Sequence, residues 1–357
     1  MSVCFFAKAA HAEEVEPLRP SWWDRRPPDL EDQKLDWIRF SANEWINGEL
    51  LELRDNVYQF DSDYFGEKSI DAEDVAGAWL GTSHIVLFED GQVWIGTGWI
   101  DEQTVHIDGS GERPRSGLLS ILRSTKSEIQ RWALEASVGI NAQFGNTDQQ
   151  GLTVTTLLKR TGNRSRLEFD FLSTVARADG ELTANRQRLA TSIDYLLTRE
   201  IFLIPFTGTF SIDEFQNILF RAQPGSGLGW HIVDHRDFSL DVQAGLAYQF
   251  TRFDSVPVGD NRDDQNFGFF GALVVEWDIT NDIELDTRHE TFGAVIDPGQ
   301  STLLNRATLS IDLISVFDLD TSVIHNRVFD PPANVDGSVP AKDDVTLTIG
   351  LSLSLGD

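Results

Sequence analysis

The chain has 357 residues, room for two domains, and its 41% apolar content excludes a disordered polymer. A formal charge of −28 argues against nucleic acid or an anionic surface held by bulk electrostatics. No apolar run reaches the roughly 18 residues of a membrane helix; barrel strands, only half apolar, are not excluded by that.

Residues 1–12 hold the only cysteine, Cys4, and a small-residue site at Ala10-His11-Ala12. They read as the remnant of a signal peptide whose basic start is missing, or as an ordinary chain start. Residues 13–35 are rich in proline and charge and form a flexible leader, in which Trp22-Trp23 is either an interfacial anchor or a pair of exposed aromatics.

From 36 to 108 short apolar runs alternate with turn pairs such as Asn47-Gly48 and Asp90-Gly91, the chemistry of tight hairpins. This spacing predicts a small SH3-like or Sm-like β-domain, with one helical turn inside SIDAEDVAGAWLG. Its acidic residues Asp61, Asp63, Glu67, Asp71, Glu73 and Asp74 lack the central glycine and terminal glutamate of a calcium loop and read as a solvated face. Residues 109–129 shift to Gly, Ser, Arg and Pro, a linker in which SGLLSILRS reads as a short helix.

Beyond residue 130 the period changes character. From Phe238 to Phe250 every second residue is apolar, a strand of thirteen residues. About 9–11 tilted residues cross a bilayer. The same alternation recurs in twelve segments, near 130–144, 151–160, 164–177, 184–198, 200–210, 217–233, 237–253, 265–280, 282–292, 302–314, 316–329 and 343–355. Short connections after even-numbered segments and longer polar ones after odd-numbered segments predict a 12-stranded antiparallel transmembrane β-barrel over 130–357, both ends on the short-turn side. Trp132, Tyr195, Trp230, Phe238, Trp277 and Phe317 would form one aromatic girdle, and Phe144, Phe210, Tyr248, Phe250, Phe267 and Phe292 the other.

The same parity sends charge inward. Glu135, Glu168, Asp170, Asp194, Asp241, Glu276, Asp278, Glu284, Asp286, Glu290, Asp312, Asp318 and Asp320 face Arg131, Lys159, Arg166, Arg188, Arg221 and Arg288. Thirteen acids against six bases would not sit in a dry lumen, because unpaired buried carboxylates are costly. The pattern therefore predicts a wet, cation-preferring pore for small solutes or ions, or else a plug of crossed salt bridges. Gly225, Gly227, Gly229 and Gly245 also point inward, where the wall would be thin enough to receive a side chain or leave a passage. Pro224 cannot donate to the ladder and predicts a bulge beside it.

No phosphate loop, dinucleotide motif, CxxC or HExxH is present, so no cofactor or metal is expected. His289 and His325 fall on the lipid face, where a lipid hydrolase would need its base. Neither has the serine two residues on that the 12-strand outer-membrane phospholipases use; Thr291 and Arg327 stand there, so headgroup contact is the expectation. His231 and His235 flank a short turn and read as structural. The barrel is thus expected to act as a narrow pore or as a structural envelope component, with an outer-leaflet lipid-modifying enzyme and a soluble all-β envelope protein as the alternatives.

Several phrases resemble the domain-of-unknown-function 481 family, typified by a salt-induced outer membrane protein. They are GNTD (145–148), FQNI (215–218), GSGLGWHIVD (225–234), VQAGLAYQF (242–250) and KDDVTLTIGLSLSL (342–355). GELLELRDNVYQFDSDYFG (48–66) resembles the small N-terminal domain many members carry. The resemblance implies a bacterial outer-membrane barrel in contact with lipid, with its N-terminal domain in the periplasm, and no established activity or site residues. It implies delivery by the barrel assembly machinery, which commonly reads a terminal aromatic residue. This chain ends Leu353-Ser354-Leu355-Gly356-Asp357, so either the machinery accepts Leu355 or the chain is an atypical client.

Overall fold

The computed structural model describes residues 35–40, 44–54, 56–62, 64–124, 128–143, 149–280, 282–314, 316–334 and 337–355. Cys4, Ala10-His11-Ala12, Trp22-Trp23 and Phe144 lie outside the described residues. What is described is two antiparallel β-bodies in sequence.

The first is a nine-stranded cap: β1 (Asp36–Phe40), β2 (Trp45–Arg54), β3 (Val57–Ser62), β4 (Gly66–Asp71), β5 (Val75–Phe88), β6 (Val93–Ile100), β7 (Thr104–Ile107), β8 (Gly111–Pro114) and β9 (Leu118–Arg123). β1 and β9 each pair with both β2 and β5, which closes a small ring around Ile38, Leu50, Tyr58, Phe60, Leu80, Val86, Ile107 and Ile121. Inside the ring the buried Asp36 carboxylate accepts from the Leu50 and Thr82 N–H groups at 2.9 and 3.0 Å. Burial pushes the Tyr58 hydroxyl's pKa up, against the pull of Arg115 and Arg199.

Two expectations fail here. SGLLSILRS is not a helix in a linker; it carries β9, and the stretch before it supplies β8. Leu118 to Leu122 are all buried, and a short continuous apolar run is ambiguous between buried strand and helix. SIDAEDVAGAWLG forms no helical turn: β4 ends at Asp71, three residues turn, and β5 begins at Val75.

The second body is a closed barrel of β10 (Trp132–Gln143), β11 (Gln149–Thr161), β12 (Ser165–Ala178), β13 (Glu181–Leu196), β14 (Ile201–Asp213), β15 (Ile218–His235), β16 (Phe238–Phe253), β17 (Asp263–Thr280), β18 (Ile283–Ala294), β19 (Thr302–Ile314), β20 (Phe317–Val328) and β21 (Asp343–Leu355). The last strand pairs with the first from Leu134↔Leu355 to Ile140↔Ile349, so no edge is left open. Val345, Leu347, Ile349 and Leu351 stand exposed outside. Along β16 the apolar outward set from Phe238 to Phe250 spans about 30 Å at a 40° tilt, the thickness of a bilayer core. The chain is thus a membrane-spanning barrel of the outer-membrane type with a capping domain.

Three details of the wall differ from expectation. Phe292 is buried inside the lumen against Ala247, Ala294 and Phe270, because it shares the parity of Glu290. The connection from β12 to β13 is not long: Asp179 and Gly180, at φ 51° and 85°, make a two-residue hairpin with both central residues left-handed. Pro224 itself stays in register with Gly208; the shift lies on β14 between Ile204 and Thr207, around Pro205 and opposite Ser226.

The cap sits on the short-turn end of the barrel. Arg54 Nη1 donates to the Gly162 carbonyl at 2.5 Å, Ser120 Oγ to the Asn163 carbonyl at 2.7 Å, and Arg199 to the carbonyls of Leu118 and Arg115 at 2.7 and 2.9 Å. On the far side Asn56 donates to Asp234, and the Arg236 N–H to Asp71. Between them Leu87 and Leu119 of the cap pack on Leu196, Phe202 and Ile204, inward residues of the barrel's mouth.

The glycine wall lies beside that contact. A Cβ on Gly229 would stand 2.0 Å from the Phe202 ring, and one on Gly245 2.4 Å from the Phe270 ring. Gly227 faces Gly245 across the ladder, where a Cβ would meet the Ala244 carbonyl at 2.2 Å; one on Gly225 would meet the Leu246 carbonyl at 2.7 Å. The thin wall receives aromatic rings. Gly229→Val is expected to cost about 1–3 kcal/mol by overpacking Phe202. Gly293→Val is the control, since its Cβ would meet only the Phe269 carbonyl at 3.9 Å. The temperature at which the folded band disappears from an unboiled gel should fall for the first variant and hold for the second.

Candidate functional site

The lumen is crossed near its middle by ion pairs. Arg288 on β18 donates to Glu168 on β12 at 2.7 Å and to Glu290 at 2.6 Å. Arg306 on β19 holds Asp170 on β12 through two contacts of 3.2 and 2.6 Å, and Arg188 on β13 holds Glu290. β12 and β18 stand six places apart in the ring of twelve, so these contacts span the lumen rather than run along the wall. Three carboxylates meet three guanidiniums, and the brace is neutral. Beyond it, away from the cap, Leu172, Leu304 and Ile324 pack together across the same interior.

On the cap side lies an inner chamber of about 370 Å³. Glu135, Glu276, Glu284, Asp286, Asp318 and Asp320 line it with Lys159 and Arg166. Lys159 reaches Glu135 at 3.7 Å and Glu276 at 3.8 Å. Asp320 accepts from Ser310 and Ser352, each at 2.9 Å, and Asp318 from Ser354 at 3.3 Å. Arg166 contacts Asp194 at 3.1 Å and Asp241 at 3.8 Å, and Asp241 also meets the His231 ring at 2.6 Å. Glu284 and Asp286 have no cation within ion-pair distance among the described residues. The chamber is acid-rich and exposes carboxylates to water.

A lateral cavity of about 300 Å³ opens between cap and barrel, lined by Arg54, Gln59, Asp234, Asp237 and Asp278. It shares Lys159, Arg166, Glu276 and Glu284 with the inner chamber, so the cap leaves a side entry to the acids. Beyond the brace an outer chamber of about 150 Å³ is lined by Arg186, Arg188, Arg221, Ser211, Asp213 and Gln216. Asp312 is exposed at the short-turn end of β19, and Arg131 sits in the turn ahead of β10.

Four further inward groups, the bases Arg186 and Arg306 and the acids Asp213 and Asp344, join the inward-facing charges and leave their surplus of acids unchanged. Arg306 pairs with Asp170, and Arg186 pairs with Asp213 at 2.5 Å and Asp344 at 2.6 Å. Each keeps the parity of a residue that was placed inward, Arg306 with Asp312 and Arg186 with Arg188, so the signal was available. No group of three or more His, Cys, Asp or Glu side chains that could hold a metal is found among the described residues.

On the outer surface the histidines contact their neighbours. The Asn305 carbonyl accepts from His289 Nδ1 at 2.8 Å, its amide donates to His325 Nδ1 at 3.0 Å, and His325 Nε2 donates to Asp343 at 2.9 Å. Thr291, on the face of His289, donates to the Thr302 carbonyl at 3.4 Å.

Comparison with solved structures finds the NanC porin at 11% identity, covering 62% of this chain and all of that one, with a TM-score of 0.40. The KdgM porin matches at 11% identity over 62% and 99% of the two chains, TM-score 0.34. An outer membrane channel from Pseudomonas putida F1 matches at 10% over 62% and 93%, TM-score 0.35. No curated protein sequence matches. The sequence profile described as protein of unknown function, DUF481, matches residues 136–354, more than half of the chain and nearly all of the barrel. The chain belongs to the DUF481 family.

Proposed function

We propose that this chain is a bacterial outer-membrane protein with its cap in the periplasm, acting as a narrow cation-preferring passage that rests closed at the ion-pair brace. The observation that carries this reading is the union of two cavities: an acid-lined chamber, entered from the side beneath the cap, ends at a neutral barrier of crossed charges. Water-exposed carboxylates such as Glu135 and Glu276, in a chamber where acids outnumber bases, lower the energy of a hydrated cation entering it and raise that of an anion. Its partners are then outer-membrane lipids around the belt, small cations within, and the barrel assembly machinery during insertion.

The brace reading is tested in planar bilayers. Glu168→Gln with Arg288→Gln removes one acid and one base together, so the net charge of the lumen is unchanged. The pair of changes is expected to raise single-channel conductance several-fold over the native protein. A structural envelope component is the reading favoured if neither protein conducts.

Selectivity is tested separately. In a potassium chloride gradient the reversal potential is expected to have the sign of cation preference. Glu135→Gln with Glu276→Gln should move it toward zero without changing the gel shift of the folded barrel. Anion preference in the native protein, or an unmoved potential in the variant, would sink this assignment.

A further inference from the structure

We infer that the outer chamber, beyond the brace, is a binding site for a small hydroxylated carboxylate. Arg221 is 4% exposed and, among the described residues, makes no ion pair. Its Nε donates to Thr251 at 3.1 Å, and its Nη2 is buried without a partner. The nearby carboxylates are engaged elsewhere: Asp213 with Arg186 at 2.5 Å, and Asp264 with the Asn266 amide at 2.7 Å. A buried guanidinium with an unmet N–H is expensive, and an anion that reaches it removes the cost.

A second orphan donor sits close by. Arg188 uses Nη2 on Glu290, while its Nη1 is buried without a partner. Ser211 on β14 is the ladder partner of both Arg188 on β13 and Arg221 on β15, so the two guanidiniums flank one serine on the inward face. All three line the same cavity of about 150 Å³. Planar guanidinium N–H groups in that arrangement suit the two oxygens of a carboxylate.

The ligand must also donate. Gln216 gives its amide N–H groups to the Ala341 carbonyl and to Asp344, which leaves its buried Oε1 with no partner on the wall of the same chamber. A hydroxyl on the ligand satisfies it. Phe270 and Phe292 supply the apolar wall for a short carbon skeleton. A dry engineered cavity of comparable volume takes a ring of six carbons, which bounds the ligand at roughly six to eight non-hydrogen atoms. The inner chamber, by contrast, is dominated by acids and repels the same molecule. The inference holds whether or not ions cross the brace.

The test uses the purified full chain in detergent and sodium D-glycerate as the probe, with glycerol, sodium propionate and sodium chloride at matched ionic strength. Titration calorimetry should show saturable binding of D-glycerate near one per chain, at least tenfold weaker binding of propionate, and none of glycerol. Arg221→Gln should weaken D-glycerate at least tenfold. Gln216→Leu should weaken D-glycerate while leaving propionate unchanged, and it decides the matter should Arg221→Gln fail to give the folded gel band. D-glycerate no better than chloride on the native protein, propionate equal to D-glycerate, or full affinity in either folded variant would overturn the inference.

Discussion

The contact on which the division of the lumen depends is the one between Arg288 and Glu168, made across a closed barrel whose strand number and shear set the distance between them. Each charge was taken out of water at a cost of several kcal/mol, which the partner opposite and, for Arg288, Glu290 on its own strand compensate. Asp170 with Arg306, and Arg188 with Glu290, repeat the arrangement one step along the axis. Because the six charges cancel, the brace can sit against the apolar layer of Leu172, Leu304 and Ile324 without a counter-ion. Removing one partner leaves a buried charge alone, typically about 3–5 kcal/mol worse. Removing a pair leaves polar amides and more room. That asymmetry is why a neutral double substitution leaves no stranded charge in the wall.

The brace also makes the two ends of the lumen chemically different. Carboxylates on the cap side outnumber the cations that reach them, whereas the far side holds guanidiniums that exceed their contacts. The cap reinforces the difference. Its Leu87 and Leu119 close one sector of the mouth through Phe202 and Ile204, and Phe202 fits only because Gly229 has no side chain. Phe202 in turn packs at 4.7 Å on His231, which holds Asp241, so cap, glycine wall and inner chamber form one mechanical unit. The remaining sector, between Arg54 and Asp237, stays open.

Much of this was legible in the sequence because a barrel wall has a period of two and nothing else to satisfy. The alternation through Phe238–Phe250 gave strand, faces and span together, and the inward acids Glu135, Glu276, Glu284 and Asp286 followed from counting. What period cannot supply is the partner across the lumen. Arg288 and Glu168 are 120 residues apart and lie on strands that never touch, so their pairing depends on barrel diameter and shear. Arg188 was recognised as inward, but its partner Glu290 could not be assigned to it on the same grounds. β9 was hidden differently: Leu118 to Leu122 are buried on both faces, against the cap core and against the barrel, and a doubly buried strand shows no alternation. Asp179-Gly180 is itself a readable turn signal, an Asp-Gly pair with both residues left-handed, as a two-residue hairpin needs.

The polar row on the lipid face follows from the same need to satisfy groups where water is scarce. His289, Asn305 and His325 are successive ladder partners on β18, β19 and β20, and Asp343 on β21 ends the row at the rim. Every bond runs in one direction: His289 donates to the Asn305 carbonyl, the Asn305 amide to His325, and His325 to the Asp343 carboxylate. With the Asn305 amide oriented this way, His289 Nδ1 and His325 Nε2 serve as the donors of the row. Asp343 is further held by Arg327 at 2.9 Å, so the row terminates in an ion pair at the water boundary. Four side chains that would each be costly alone in hydrocarbon therefore form a chain whose internal donors and acceptors are met, and whose single charge-bearing end lies where water begins. Histidines in this position owe their place to one another, and contact with a lipid headgroup is not needed to account for them.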